Sequence, residues 1–185
     1  MMRRVAILLV TCGVATAFAG GIREFDIPTL ERLGNELTRV SQNPDRGASD
    51  AARKRARETA MAALKGKLFD TRYDYVVLSD PDGKRLLVYA LAAAKYSDQV
   101  VMAGHFRVTV SADGTKSERV DALSKSLAHS GPKTDAVALW LIQLVSNKPV
   151  ETLIYTSNLA KKPIYVRTPD GKTWEVGEGK MRVVR

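Results

Sequence analysis

Cysteine is nearly absent from this 185-residue chain: Cys12 stands alone, inside a short apolar run near the start. Once that run is removed no thiol remains, which excludes disulfides, thiolate metal sites and cysteine nucleophiles. Histidine is almost as scarce. His105 and His129 make no i, i+4 pair, so a helical zinc site of the His-Glu-x-x-His kind is excluded, and neither a metal nor a cofactor is expected. There is no Gly-x-Ser-x-Gly elbow to present a serine nucleophile. Ser130-Gly131-Pro132-Lys133 spells Ser-x-x-Lys, but Gly and Pro at its centre oppose the helix that would bring Lys onto Ser. Phosphate-cradling glycine loops are missing too. Asp80, Asp82 and Gly83 start like a calcium loop, yet no acidic ligands follow at the required offsets, and Lys84-Arg85 would repel the ion.

What is present begins with an address. Met1-Met2-Arg3-Arg4, the apolar run Val5 to Val10 and the small-x-small triplet Ala17-Phe18-Ala19 follow the order of a secretory signal peptide. Thr11, Cys12, Gly13 and Thr16 interrupt the apolar run well short of the roughly 20 residues that a spanning helix needs. Residues 1–19 are therefore expected to be cleaved, leaving 20–185 as one periplasmic or secreted domain with no transmembrane segment. Lipid attachment at Cys12 is the lesser alternative, because Thr11 is a poor residue to precede a lipidated cysteine. The 29 basic and 20 acidic residues give +9, and losing Arg3 and Arg4 leaves +7. Outside the cytoplasm such a charge meets acidic envelope proteins, glycans or anionic lipid, and no nucleic acid.

Helical signals come first. Ile27, Leu30, Leu33, Leu37 and Val40 recur at spacings of three and four after Asp26 and Pro28, which predicts an amphipathic helix. Asn43-Pro44-Asp45-Arg46-Gly47 ends it, and a second helix capped by Ser49 or Asp50 runs to about Lys65. The helical lead thus covers 26–66. From 73 to 184 the pattern changes to β-branched and aromatic runs divided by Asp82-Gly83, Asp113-Gly114 and Asp170-Gly171 turns. Val100 to Ser111 reads as one alternating strand with Met102, Phe106, Val108 and Val110 on a core face and His105, Arg107 and Thr109 on a wetter one. Val137 to Val145 suits a helix or a buried strand. The strand is preferred, paired with Val150 to Ser157 across Ser146-Asn147-Lys148-Pro149. The expected fold is α+β: an N-terminal helical pair packed on an antiparallel sheet of about seven or eight strands built from Asp-Gly hairpins.

Two places offer binding residues. The presumed wet face carries His105 and Arg107, with Tyr89 on a neighbouring strand; the commoner role for a strand histidine is one structural hydrogen bond. On the second helix Arg53, Lys54, Arg55 and Arg57 crowd within five residues, either as a dock for an acidic partner or as a solvated face. The phrases Gly104-His105-Phe106-Arg107-Val108-Thr109-Val110-Ser111-Ala112-Asp113-Gly114, Val120-Asp121-Ala122-Leu123-Ser124 and Lys162-Pro163-Ile164-Tyr165-Val166 resemble a group of exported proteins of Gram-negative bacteria with no known function. That resemblance implies export and an antiparallel sheet, and no catalytic residue. The expected function is a non-catalytic periplasmic or secreted binding protein for an anionic or polymeric envelope component. The alternative is a small periplasmic hydrolase whose acid and base lie on separate strands.

Overall fold

The computed structural model describes residues 21–96, 98–130 and 136–185. The leader with Cys12, and Gly131 to Lys133 of the Ser-x-x-Lys stretch, lie outside the described residues. Helix α1, Ile27–Ser41, starts where Asp26 accepts a hydrogen bond from the Thr29 amide at 2.9 Å, and it buries Leu30, Leu33, Leu37 and Val40. Helix α2, Ala51–Leu64, is capped in the same way by Asp50 on the Arg53 amide. Each cap oxygen satisfies a first-turn amide that has no intrahelical partner. Among the described residues no helix is long and apolar enough to cross a membrane.

The strands are β1 Tyr73–Ser79, β2 Arg85–Ala92, β3 Val101–Ala103, β4 Phe106–Ser111, β5 Ser117–Ala122, β6 Ala128–His129, β7 Leu139–Ile142, β8 Ile164–Arg167, β9 Thr173–Gly177 and β10 Lys180–Val183. All three Asp-Gly phrases turn hairpins, β1–β2, β4–β5 and β8–β9, with Gly83, Gly114 and Gly171 at positive φ. The class is α+β with mostly antiparallel pairing, but the strands do not join into one sheet. They divide into β1-β2-β4-β5, β10-β9-β8-β7 and the short ribbon β3-β6.

Two departures from expectation explain that division. Gly104, at φ +107°, breaks the segment read as one strand into β3 and β4, which enter different sheets. A Cβ there would lie 2.5 Å from Leu127, so glycine also admits the chain that covers this turn. Consequently Met102 and Phe106, expected on one face, enter opposite cores. Second, Val150 to Ser157 is not a strand: helix α3 spans Glu151–Ala160. It lies between sheets and buries Glu151, Thr152, Leu153, Ile154, Thr156 and Ser157, so no polar stripe marks it as helical in the sequence. The preceding apolar run does form a strand, β7, but its partner is β8, in parallel, with α3 as the crossover.

The first sheet separates two cores. On one face α2 packs Ala56, Ala60 and Leu64 against Val77, Val88, Phe106, Val108 and Val110. On the other, α1 and α3 fill the space between Val76, Leu87, Tyr89 and Leu91 and the second sheet's Ile164, Val166, Trp174 and Val176. Layering is therefore α2, first sheet, α1 with α3, second sheet. Gly34 makes the helix crossing close, since a Cβ on it would stand 2.6 Å from the Glu151 carbonyl oxygen.

Candidate functional site

The face expected to be wet is buried. His105, Arg107 and Thr109 are each at most 1% exposed because α3 and the N-terminal arm cover them. Strand register places Tyr89, Arg107 and Asp121 side by side in one transverse row. From the first turn of α3, Glu151 accepts from Arg107 Nη1 at 2.6 Å and from the Tyr89 hydroxyl at 2.8 Å, while Asp121 accepts from Arg107 Nη2 at 2.8 Å. Burial alone would lower the Arg107 pKa, but Glu151, Tyr89 and Asp121 outweigh it and hold the guanidinium charged. Burial, with Glu151 adding to it, pushes the Tyr89 hydroxyl well above its usual range, so it stays a donor.

The arm 21–25 closes this network. Arg107 Nη2 also donates to the Arg23 carbonyl, the Arg23 amide donates to Asp121, and Arg23's own guanidinium pairs with Asp80 at 2.5 Å. The Phe25 ring lies 4.7 Å from the Arg23 guanidinium carbon and 4.8 Å from that of Arg107, where its π-face attracts both cations. Tyr89 and Arg107 are thus occupied within the chain and do not present a surface.

His105 is held separately. Its Nδ1 accepts from the Ala92 amide at 3.1 Å, its ring stands edge-on to Tyr155, and Nε2 is buried without a partner. Burial lowers its pKa to about 4, with the Val101 carbonyl opposing. Neither a serine nor a carboxylate hydrogen-bonds to it among the described residues. A cleft of about 270 Å³ beside it includes Asp74, which is paired to Arg46 at 3.0 Å.

The basic run on α2 largely fastens that helix down. Arg53 reaches the Val77 carbonyl and Ser79 Oγ, Arg55 the Asp113 carbonyl, and Arg57 the Asp45 and Tyr75 carbonyls. Lys54 is exposed, and its side chain makes no hydrogen bond or ion pair among the described residues.

A second, partly open cavity of ligand size also adjoins His105. This space of about 330 Å³ lies between β3, β6, β7 and the start of α3, walled by Met102, Leu123, Trp140, Leu141, Val150 and Leu153. Its polar wall residues are mostly committed elsewhere. Ser124 Oγ accepts from the Gly104 amide and donates to the Ser126 carbonyl, and the Gln143 amide group bonds the Ser146 and Lys148 carbonyls and the Val150 amide. Lys125 is exposed at the opening, as are Ile142 and Leu144 at 57% and 52%.

Sequence reasoning named His105, Arg107 and Tyr89 but missed Asp121 and Glu151, because those partners meet them only across strands and from α3. It read Trp140 and its neighbours as a strand without seeing a cavity wall. The apolar run itself carries no signal for it, since the exposure of Ile142 and Leu144 is set by the packing. Comparison of the chain with protein-family models, with curated proteins and with solved structures found no match.

Proposed function

We infer that this chain is an exported, non-catalytic binding protein for an anionic component of the cell envelope. The observation that supports it most directly is the apolar cavity beside β7, a ligand-sized space whose lining contains no paired acid, base and nucleophile among the described residues. Export rests on the leader-like start of the sequence, and the anionic preference on the +7 charge left once Arg3 and Arg4 are removed from the +9 chain, which raises the local concentration of negative partners. His105, the best candidate for a general base, has one nitrogen engaged by a backbone amide and neither a serine nor an acid bonded to it among the described residues. That arrangement disfavours the hydrolase alternative.

The test is capture from envelope extract by immobilised chain 20–185, washed first at low and then at high salt. Anionic lipid, glycan or acidic protein should be retained and then released by salt, because screening shortens the reach of surface charge. Retention of neutral material alone, or of nothing, would overturn the reading. In the same assay Lys54→Gln should weaken capture modestly without changing stability.

A further inference from the structure

We propose that the cavity beside β7 binds a single-chain carboxylate of medium length, its hydrocarbon within the Trp140–Leu153 wall and its carboxylate at the opening on Lys125. This rests on the binding-protein reading above and names its ligand.

Three observations converge on that class. The first is size. About 330 Å³ lies near the lower limit of small-molecule sites, room for one short chain or ring and not for a pair of acyl chains. The second is the chemistry of the wall. Met102, Leu123, Leu141, Val150 and Leu153 offer no hydrogen bonds, and Ser124 and Gln143 are already bonded to the protein's own backbone. His105 Nε2, also in the lining, is one unpaired polar atom, too few to repay the water that a polar or multiply charged ligand would lose inside, whereas a hydrocarbon loses nothing. The third is the opening. Ile142 and Leu144 leave large aliphatic surfaces in solvent beside Lys125, an exposed cation with no ion pair among the described residues. An amphiphile with one negative charge satisfies both at once: its chain covers the aliphatic rim and its head meets the ammonium. One lysine matches a monoanion better than a phosphate dianion.

The experiment titrates the chain 20–185 with hexanoate, octanoate, decanoate and 1-octanol at neutral pH, by calorimetry and by tryptophan fluorescence, to which Trp140 in the wall and Trp174 both contribute. Affinity should rise roughly fourfold per methylene while the chain is still filling the cavity and then level off, as burial of each CH₂ predicts. Octanoate should bind several-fold more tightly than 1-octanol. Lys125→Gln, at an exposed position that should fold normally, should remove that difference and leave octanol binding unchanged. Ala128→Leu, which places bulk in the wall, should abolish binding of both, with its thermal unfolding measured alongside.

Affinity independent of chain length would overturn the cavity as the site. Equal binding of octanoate and octanol, or a Lys125→Gln variant with unaltered preference, would overturn the carboxylate assignment. Either failure would leave the salt-sensitive capture of an anionic envelope component standing, so the two readings fall separately.

Discussion

Arg107 shows what a fully buried charge demands of its neighbours. Two carboxylates, Asp121 and Glu151, face its one guanidinium, and Asp121 is shared with the partly exposed Arg119. Replacing Arg107 by Met leaves Glu151 in a dry site without a counter-charge and Asp121 with Arg119 alone. Loss of about 3–5 kcal/mol is expected, read as a lower denaturant midpoint. The double variant Arg107→Met, Glu151→Gln should lose less than the two single losses added together, because it removes both members of the pair. His105 makes a different demand. Its pKa falls from 6.5 to about 4 on burial, so the unfolded chain takes up a proton there before the folded one does. This site therefore costs nothing above pH 6.5, and stability falls as pH drops from 6.5 towards 4, by about 3 kcal/mol at the end of that window. In His105→Asn, which keeps an acceptor for the Ala92 amide, the slope of unfolding free energy between pH 6.5 and 4 should be shallower. An unchanged slope would assign the acid sensitivity elsewhere.

At the scale of elements, the close approaches are made by glycine and the fastening by arginine. Gly114 lies at φ +81° with the Ala52 carbonyl where a Cβ would be, 2.0 Å away, and its own carbonyl accepts from Thr59 at 2.8 Å. Gly114→Ala combines left-handed backbone strain with a clash against α2 and should lower stability by about 2–4 kcal/mol. On α2, Arg57 spans two carbonyls from the turn before the helix and from β1. Arg57→Gln should lower the thermal midpoint by an amount corresponding to about 1–2 kcal/mol, whereas Lys54→Gln should leave it in place. Equal midpoints for the two variants would mean that these arginine bonds contribute nothing measurable. The helix with the strongest amphipathic pattern, α1, buries its apolar stripe in the core with α3 and the second sheet, and is fastened through Glu31, which accepts from the Met181 amide at 2.9 Å, and Asn35, which donates to the Gly179 carbonyl at 3.0 Å.

For the whole molecule, the arm 21–25 joins the first sheet, the β1–β2 turn and the loop before α3. Besides the Arg23 contacts, Arg119 donates to the Gly21 carbonyl, Glu24 accepts from Ser146 at 3.0 Å, and Lys148 donates to the Phe25 carbonyl at 2.8 Å. A chain starting at Asp26 should unfold at a denaturant concentration lower by the equivalent of about 2–4 kcal/mol, with its secondary structure retained. An identical midpoint would show that the arm merely rests on the surface. The predicted cleavage after residue 19 would leave this arm intact on the mature protein.

What the sequence determined by itself was local. Asp26 and Asp50 begin their helices through bonds three residues away, and the three Asp-Gly turns set hairpins whose strands are neighbours in the chain. Short-range geometry is enough for each of these, so α1, α2 and the antiparallel class were legible. Tertiary structure alone decided the rest, because burial depends on what lies overhead. The alternation of β4 correctly separated His105, Arg107 and Thr109 from Phe106, Val108 and Val110, yet nothing in that pattern shows that α3 covers the polar side. The β-branched segment 150–157 becomes a helix since its residues are buried on nearly every side between two sheets, where no polar stripe is required. The cavity belongs to no segment at all: its wall is assembled from β3, β6, β7 and α3, four elements whose meeting is a property of the packed chain.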